Sequence, residues 1–285
     1  VDTLADVTVV RIDEANRQLH LKPSRIALDG APHFSLTPPP PIRSHQLRDA
    51  VERFARALSN GEDRYRTVRA LLRKEIPRLR GRTPGLPLVS AQPVEVVEVT
   101  DAIAALNDSH LFIQGPPGAG KTFTGSRVIV ELIRRGRSVG ISSNSHKAIN
   151  NLLDAIVRHA QERGVVFRGL KKVTKDSPDQ YFKGPLIDNV ERSQDIAPGT
   201  PLIAGTAWLF ADPRLDQAVD FLFVDEAGQV SLGHLVAMGL AARNIVLLGD
   251  QMQLPQPIQG MHPGRSGEST LDYLLDGAAT IAPER

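Results

Sequence analysis

The sequence predicts an α/β fold, a parallel sheet flanked by helices, preceded by a small β-hairpin and helical accessory region. Three observations carry this prediction. From about Glu95 onward, short apolar runs recur without polar alternation: Leu111–Gln114, Val139–Ser142, Pro201–Ala204, Phe221–Val224 and Ile245–Leu248. Strands covered on both faces require such runs. Amphipathic stretches with helical spacing separate them, beginning near Lys121 and Ser145. The first run also passes without a gap into the glycine-rich octet Gly115-Pro116-Pro117-Gly118-Ala119-Gly120-Lys121-Thr122, giving the order strand, loop, helix.

Composition bounds what such a fold can do. The 285 residues are 41% apolar and 23% charged, enough for a proper core under a soluble surface. A formal net charge of only +2 means that any polyanion site must be a local patch. The absence of cysteine excludes disulfides, iron–sulfur clusters and thiolate zinc sites, and agrees with a reducing, cytoplasmic location. No apolar run reaches the roughly 18 residues of a membrane span, and the N-terminus is no signal peptide, so no membrane partner is expected. The chain begins at Val1 and is read as part of something longer.

Residues 1–41 form a β-rich accessory segment. Val7 to Ile12 is β-branched and apolar, Asp13-Glu14-Ala15-Asn16 is a turn, and Gln18 to Lys22 alternates. A lone hairpin is marginal, so the remainder of its module is expected upstream. Pro38 to Pro41 make a stiff spacer. Residues 42–94 form a helical accessory region and linker. Leu47, Val51, Phe54, Ala55 and Leu58 mark one helix ending at Asn60-Gly61; Tyr65, Val68, Leu71, Leu72 and Ile76 mark a second. Arg66, Arg69, Arg73 and Arg80 lie off that apolar face, either as a solvated surface or as a phosphate-contacting stripe. Gly81 to Pro93 is a Pro/Gly-rich linker. Residues 95–285 form the α/β domain, with the polar stretch Gly169 to Pro198 read as an insertion loop.

The octet is a phosphate-binding loop. A loop that wraps phosphates must turn tightly and bring bare backbone N–H groups near oxygen atoms, hence glycine at Gly115, Gly118 and Gly120. The following helix adds the positive end of its dipole. Nucleotide contacts are expected from Gly115, Gly118, Ala119, Gly120, Lys121, Thr122 and Phe123, with Lys121 reaching the β- and γ-phosphates and the Thr122 hydroxyl holding Mg²⁺. ATP and Mg²⁺ are therefore the expected cofactors. The strand Phe221–Val224 delivers Asp225-Glu226-Ala227-Gly228-Gln229, where Asp225 is expected to hold the metal and Glu226 to orient and deprotonate the attacking water. The strand Ile245–Leu248 ends in Gly249-Asp250-Gln251-Met252-Gln253-Leu254-Pro255, and Gln253 is the candidate γ-phosphate sensor, unless the segment is only a polar turn. Ile141 to Ala148 is a strand end followed by a helix start. It is suited to a sugar–phosphate backbone, although Ser145 reads equally well as a helix cap. Thr174-Lys175-Asp176-Ser177 misses a guanine-reading pattern at Ser177, and no nuclease carboxylate cluster or hydrolase elbow is present.

Together, these four boxes resemble motifs I, Ia, II and III of superfamily 1 helicases, in the Upf-like/Dna2-like branch, whose first RecA-like domain is a P-loop NTPase fold. Ser143 to Ile149 and Asp225 to Gln229 further resemble bacterial proteins that fuse a RecB-type nuclease to such a helicase. Gly205-Thr206-Ala207 is similar to that group's additional DNA-contacting motif. The resemblance implies ATP-driven 5′ to 3′ translocation on single-stranded DNA, with RNA left open. It places Asn144, Ser145, His146 and Thr206 on the nucleic-acid face, and Lys121, Glu226 and Gln253 in catalysis and coupling. It also implies a second RecA-like domain beyond Arg285 carrying a transition-state arginine, a fused nuclease upstream, and a monomeric assembly. This chain departs from the pattern at Glu98, where the family has an adenine-reading glutamine; Gln92 is out of register. A small-molecule P-loop kinase or nucleotide-gated switch is the alternative, and needs no Gln253 loop.

Overall fold

The computed structural model describes residues 7–23, 44–89, 94–197, 199–250, 262–278 and 280. The chain divides into two compact units, Val1–Ile42 and Arg43–Arg285. In the first, β1 (Val7–Asp13) pairs antiparallel with β2 (Gln18–Pro23), with an irregularity between Val9 and Arg11. The Asp13 carboxylate closes the turn by accepting the Asn16 N–H at 3.0 Å and its amide at 3.1 Å. This is the expected hairpin. The proline spacer lies outside the described residues.

The second unit opens with α1 (His45–Ser59), α2 (Arg66–Leu72) and α3 (Val96–Ala104). Strand and helix then alternate: β3 (His110–Gln114), α4 (Lys121–Arg134), β4 (Val139–Ser142), α5 (His146–Glu162), β5 (Gly169–Lys172), β6 (Ile187–Val190), β7 (Leu202–Ala204), α6 (Ala207–Phe210), β8 (Val219–Val224), α7 (Leu232–Gly239), β9 (Ala242–Gly249) and α8 (Thr270–Leu275). The seven strands β3 to β9 form one parallel sheet in the order β3-β9-β8-β4-β7-β5-β6.

Two apolar cores cover the sheet, which explains why its strands lack polar alternation. Phe112, Ile203, Leu222, Val224, Ile245 and Leu247 join one core with α1, α2, α6, α7 and α8. Their strand neighbours Leu111, Ile141, Phe221, Phe223, Val246 and Leu248 join the other, with α3, α4 and α5. Successive side chains on a strand point to opposite faces, so each face takes alternate residues of an all-apolar run. The accessory helices α1 and α2 thus share a core with the sheet.

Three expectations are corrected. Gly169 to Pro198 is not simply an insertion loop, because it supplies β5 and β6 at one end of the sheet. These strands have four residues each and carry Lys171 and Lys172, so no apolar run announces them. Gly169 is needed there: a Cβ would lie 2.6 Å from Ile187 Cδ1. On α1 the buried face is Leu47, Ala50, Phe54 and Ala57, whereas Val51 and Leu58 are exposed. Ile76 lies beyond the end of α2 and is also exposed.

Candidate active site

Parallel registry aligns the strand ends. Gln114 sits opposite Gly249, Val224 opposite Leu247, and Ser142 opposite Val224. The carboxyl edge therefore presents, side by side, the glycine loop after β3, Asp250 after β9, Asp225-Glu226 after β8, Ser143-Asn144 after β4 and Gly205-Thr206 after β7. Ligands of open α/β sheets bind outside this edge.

The glycine loop is open. Gly118 and Gly120 have φ of +81° and +84°, which side chains rarely adopt, and a Cβ at either would meet nothing within 4 Å. Gly115 is anchored to the neighbouring strand by its N–H to the Gly249 carbonyl at 3.2 Å, and the Ala119 N–H closes a turn on the Pro116 carbonyl at 3.1 Å. The first intrahelical bond of α4 runs from the Thr124 N–H to the Gly120 carbonyl at 2.8 Å. The N–H groups of residues 121–123 precede it and are orphan donors of the helix start. The Lys121 ammonium folds back on the loop, donating to the carbonyls of Gly115 and, at 2.9 Å, Pro116. Thr122 is half-buried; Phe123 is exposed beside it, with the Arg127 guanidinium over its ring.

The acidic turn is closed. Asp225 is buried, and burial pushes its carboxyl up to about 6, against the pull of the Glu226 N–H and the nearby Lys121 ammonium. That N–H donates to Asp225 Oδ1 at 2.9 Å. Glu226 has φ of +54°, a left-handed conformation that a non-glycine residue adopts only when its surroundings fix it. The fixing contacts lie on both sides. The Ser143 hydroxyl donates to Glu226 Oε2 at 3.4 Å and the Asn144 amide to the Gln229 carbonyl at 2.5 Å. Opposite, a Cβ on Gly228 would stand 2.4 Å from the Asp250 carbonyl oxygen.

Of the residues assigned to a nucleic-acid face, Asn144 thus also braces the acidic turn. Ser145 caps α5, accepting the Ala148 N–H at 3.0 Å, so the cap reading holds structurally. His146 follows at the helix start, and Thr206, half-buried, precedes α6. Gln253 lies outside the described residues, as does Gln92; Glu98 sits in the first turn of α3. Sequence reasoning missed Lys171, a wholly buried cation held by Asn150 Oδ1 and the Gln180 carbonyl. Burial lowers its ammonium to about 8.

The arginine stripe is elsewhere. The Thr67 hydroxyl of α2 donates to the Arg243 carbonyl near the start of β9, which puts this helix at the opposite edge of the sheet. Arg66 pairs with Asp63, Arg78 with Glu75 at 2.7 Å and Arg73 with Glu75 at 3.7 Å. This is a solvated network of ion pairs, not a phosphate track at the carboxyl edge.

A family model described as an AAA domain (AAA_30) matches residues 96–262. The chain is similar to the DNA replication ATP-dependent helicase/nuclease JHS1 of Arabidopsis thaliana, 28% identical over 162 residues, covering 55% of this chain and 12% of that protein. It is similar also to the DNA replication ATP-dependent helicase/nuclease DNA2 of Gallus gallus, 28% identical over 162 residues, covering 54% and 16%. A regulator of nonsense transcripts 1 homolog of Arabidopsis thaliana is 24% identical over 237 residues, covering 69% and 18%. The chain therefore spans 12% to 18% of the length of these relatives.

Proposed function

The chain belongs to the AAA domain family, and from that premise we propose that residues 95–285 are the first motor domain of a nucleic-acid-dependent ATPase, a superfamily 1 helicase of the Upf-like/Dna2-like branch. The observation that carries this reading is the carboxyl edge itself. An open phosphate cradle and a braced pair of carboxylates stand there with only β9 between their strands. The names of the Dna2-like and Upf-like relatives support it.

The residues present suit Mg²⁺. Asp225 is a buried carboxylate whose ionised form lacks a full counter-charge, as its raised pKa shows, and the Thr122 hydroxyl belongs to the neighbouring loop. No cluster of three or more His, Cys, Asp or Glu among the described residues would cage a metal alone. That fits a hard cation which keeps waters and takes its other oxygens from a nucleotide. When bound, Mg²⁺ would offset phosphate charge.

The chain's own groups do the rest. The N–H groups at the start of α4 and the Lys121 ammonium, released from the loop carbonyls, hold the phosphates. Glu226 accepts a proton from the attacking water, from a position that Ser143 and the left-handed backbone define. Gln253 reads the γ-phosphate and moves its loop when that group leaves. Asn144, Ser145, His146 and Thr206 face single-stranded DNA, or RNA. A second RecA-like domain of the same polypeptide supplies the transition-state arginine, and a nuclease domain accompanies it, in a cytoplasmic monomer. No helix among the described residues is long and apolar enough to cross a membrane.

Steady-state ATP turnover with and without single-stranded DNA or RNA tests the reading. These 285 residues alone should bind Mg-nucleotide weakly and turn it over slowly, because arginine fingers are worth roughly 10³–10⁵ in rate. Brisk turnover that ignores nucleic acid, or phosphoryl transfer to a small acceptor, would sink it.

A further inference from the structure

Two loops leave adjacent strands of the sheet in step. Ser142 of β4 lies opposite Val224 of β8, and the Asp225 N–H donates to the Ser142 carbonyl at 2.8 Å. The next residues must therefore run alongside each other: Ser143 and Asn144 on one strand's exit, Asp225 and Glu226 on the other's. Ser143 is buried, at 2% exposure. Its hydroxyl cannot touch a nucleic-acid strand, yet it donates to the Glu226 carboxylate. It also belongs to the same five residues that carry Asn144, Ser145 and the first turn of α5.

The distance matters. An O–H···O hydrogen bond is normally 2.5–3.0 Å long; this one is 3.4 Å. A contact that is slack by a few tenths of an ångström gains or loses most of its strength on a small movement. Glu226 can respond, because its left-handed backbone is held by neighbours rather than by its own preference. The Asn144 amide on the Gln229 carbonyl fixes the far end of the same turn, so that displacement of the β4 exit pulls on both ends of residues 226–229.

We propose that Ser143 is a positioning residue for Glu226, through which the segment leaving β4 reports occupancy by a nucleic-acid strand to the water-activating carboxylate. The inference rests on the function proposed above and adds its route of regulation. Coupling must run both ways. A strand bound at Asn144 and His146 firms the Ser143–Glu226 contact, and a nucleotide whose γ-phosphate orders Glu226 firms the grip on the strand.

The test needs no turnover. The affinity of the 285-residue protein for a fluorescent oligodeoxythymidine is measured with and without a non-hydrolysable Mg-ATP analogue, together with the affinity for the analogue alone. The wild-type chain should show a nucleotide-dependent shift of about fivefold or more, the lower end of usual coupling. Ser143→Ala should reduce that shift to less than about twofold while each ligand, tested alone, binds as before. Ser143→Thr, which keeps the hydroxyl, should restore it. Glu226→Gln should not add to the loss in a double-mutant cycle, because both changes break one contact. A full shift in Ser143→Ala, or an additive cycle, overturns the proposal; so does a wild-type protein that binds both ligands with no shift, which leaves the ATPase reading standing. A wild-type protein that binds neither ligand overturns the ATPase reading itself. A purely structural Ser143 would lower the unfolding midpoint and leave the shift intact.

Discussion

The glycine loop after β3 and the acidic turn after β8 leave the same edge of the same sheet, yet they are built in opposite ways. A Cβ at Gly118 or Gly120 would meet nothing, Phe123 is exposed, and the Lys121 cation rests on carbonyls that any phosphate would outcompete. In the acidic turn Asp225 is buried, Gly228 lies against the Asp250 backbone, and Ser143 and Asn144 brace the other side. The first region must admit a ligand and release it, so its donors are left bare. The second must hold a carboxylate where charge and protons will move, so its geometry is fixed in advance. Binding and chemistry are thus assigned to an open and a closed structure, joined by the bond between Gly115 and Gly249.

The largest break should come from the closed side. Glu226→Gln removes the proton acceptor and leaves the cradle intact. Nucleic-acid-stimulated turnover in the complete motor should fall by about 10²–10⁴, the usual worth of general-base catalysis, with nucleotide affinity nearly unchanged. On the open side, Lys121→Ala removes a charge-assisted hydrogen bond worth about 1.5–3 kcal/mol. Equilibrium binding of Mg-nucleotide should weaken by about 10- to 150-fold, without loss of unfolding free energy, because the ammonium bonds only exposed loop carbonyls. Equal effects of these two variants on nucleotide affinity would erase the division of labour.

Glycine substitutions sharpen it further. Gly228→Ala drives a methyl group into the Asp250 carbonyl, so backbone must move, at a cost of about 1–3 kcal/mol in unfolding free energy. Gly118→Ala has room for the methyl and bears only a left-handed residue's penalty, about 1–2 kcal/mol. Urea midpoints would rank the first below the second, and an inverted ranking would mean the acidic turn is not the rigid element.

What the sequence disclosed follows the same division. The octet, the Asp225-Glu226 pair and the strands that deliver them are legible because each is local: an apolar run, then the residues that a turn and its ligand demand. The bracing contacts are not legible. Ser143 meets Glu226 only because β4 and β8 are neighbours in a given register, a fact about chain segments far apart in sequence. Strands β5 and β6 escaped for a related reason. Lys171 reads as surface, and only the fold shows Asn150 and Gln180 waiting to receive its ammonium. On α1, two apolar stripes compete, and the one carrying the small Ala50 and Ala57 is buried, leaving Val51 and Leu58 outside.

The closed structure extends along β4's exit to His146, and acid should find its limit there. His146 Nδ1 is buried without a hydrogen-bond partner among the described residues, and burial, with the Lys171 and Lys172 cations nearby, lowers the imidazole to about 4, while Asp179 acts in the other direction. The folded pKa lies below the unfolded value near 6.5, so between them the unfolded chain binds more protons. Stability from this group is complete above pH 6.5 and is lost as pH falls through 4. His146 is half-buried, so solvent screening reduces the effect to about 1 kcal/mol between pH 7.5 and 5. His146→Gln keeps a polar side chain that does not titrate. Its urea midpoint should decline less than the wild-type midpoint over that interval, and parallel declines would show that the imidazole is open to water, confining the closed structure to residues before Ser145.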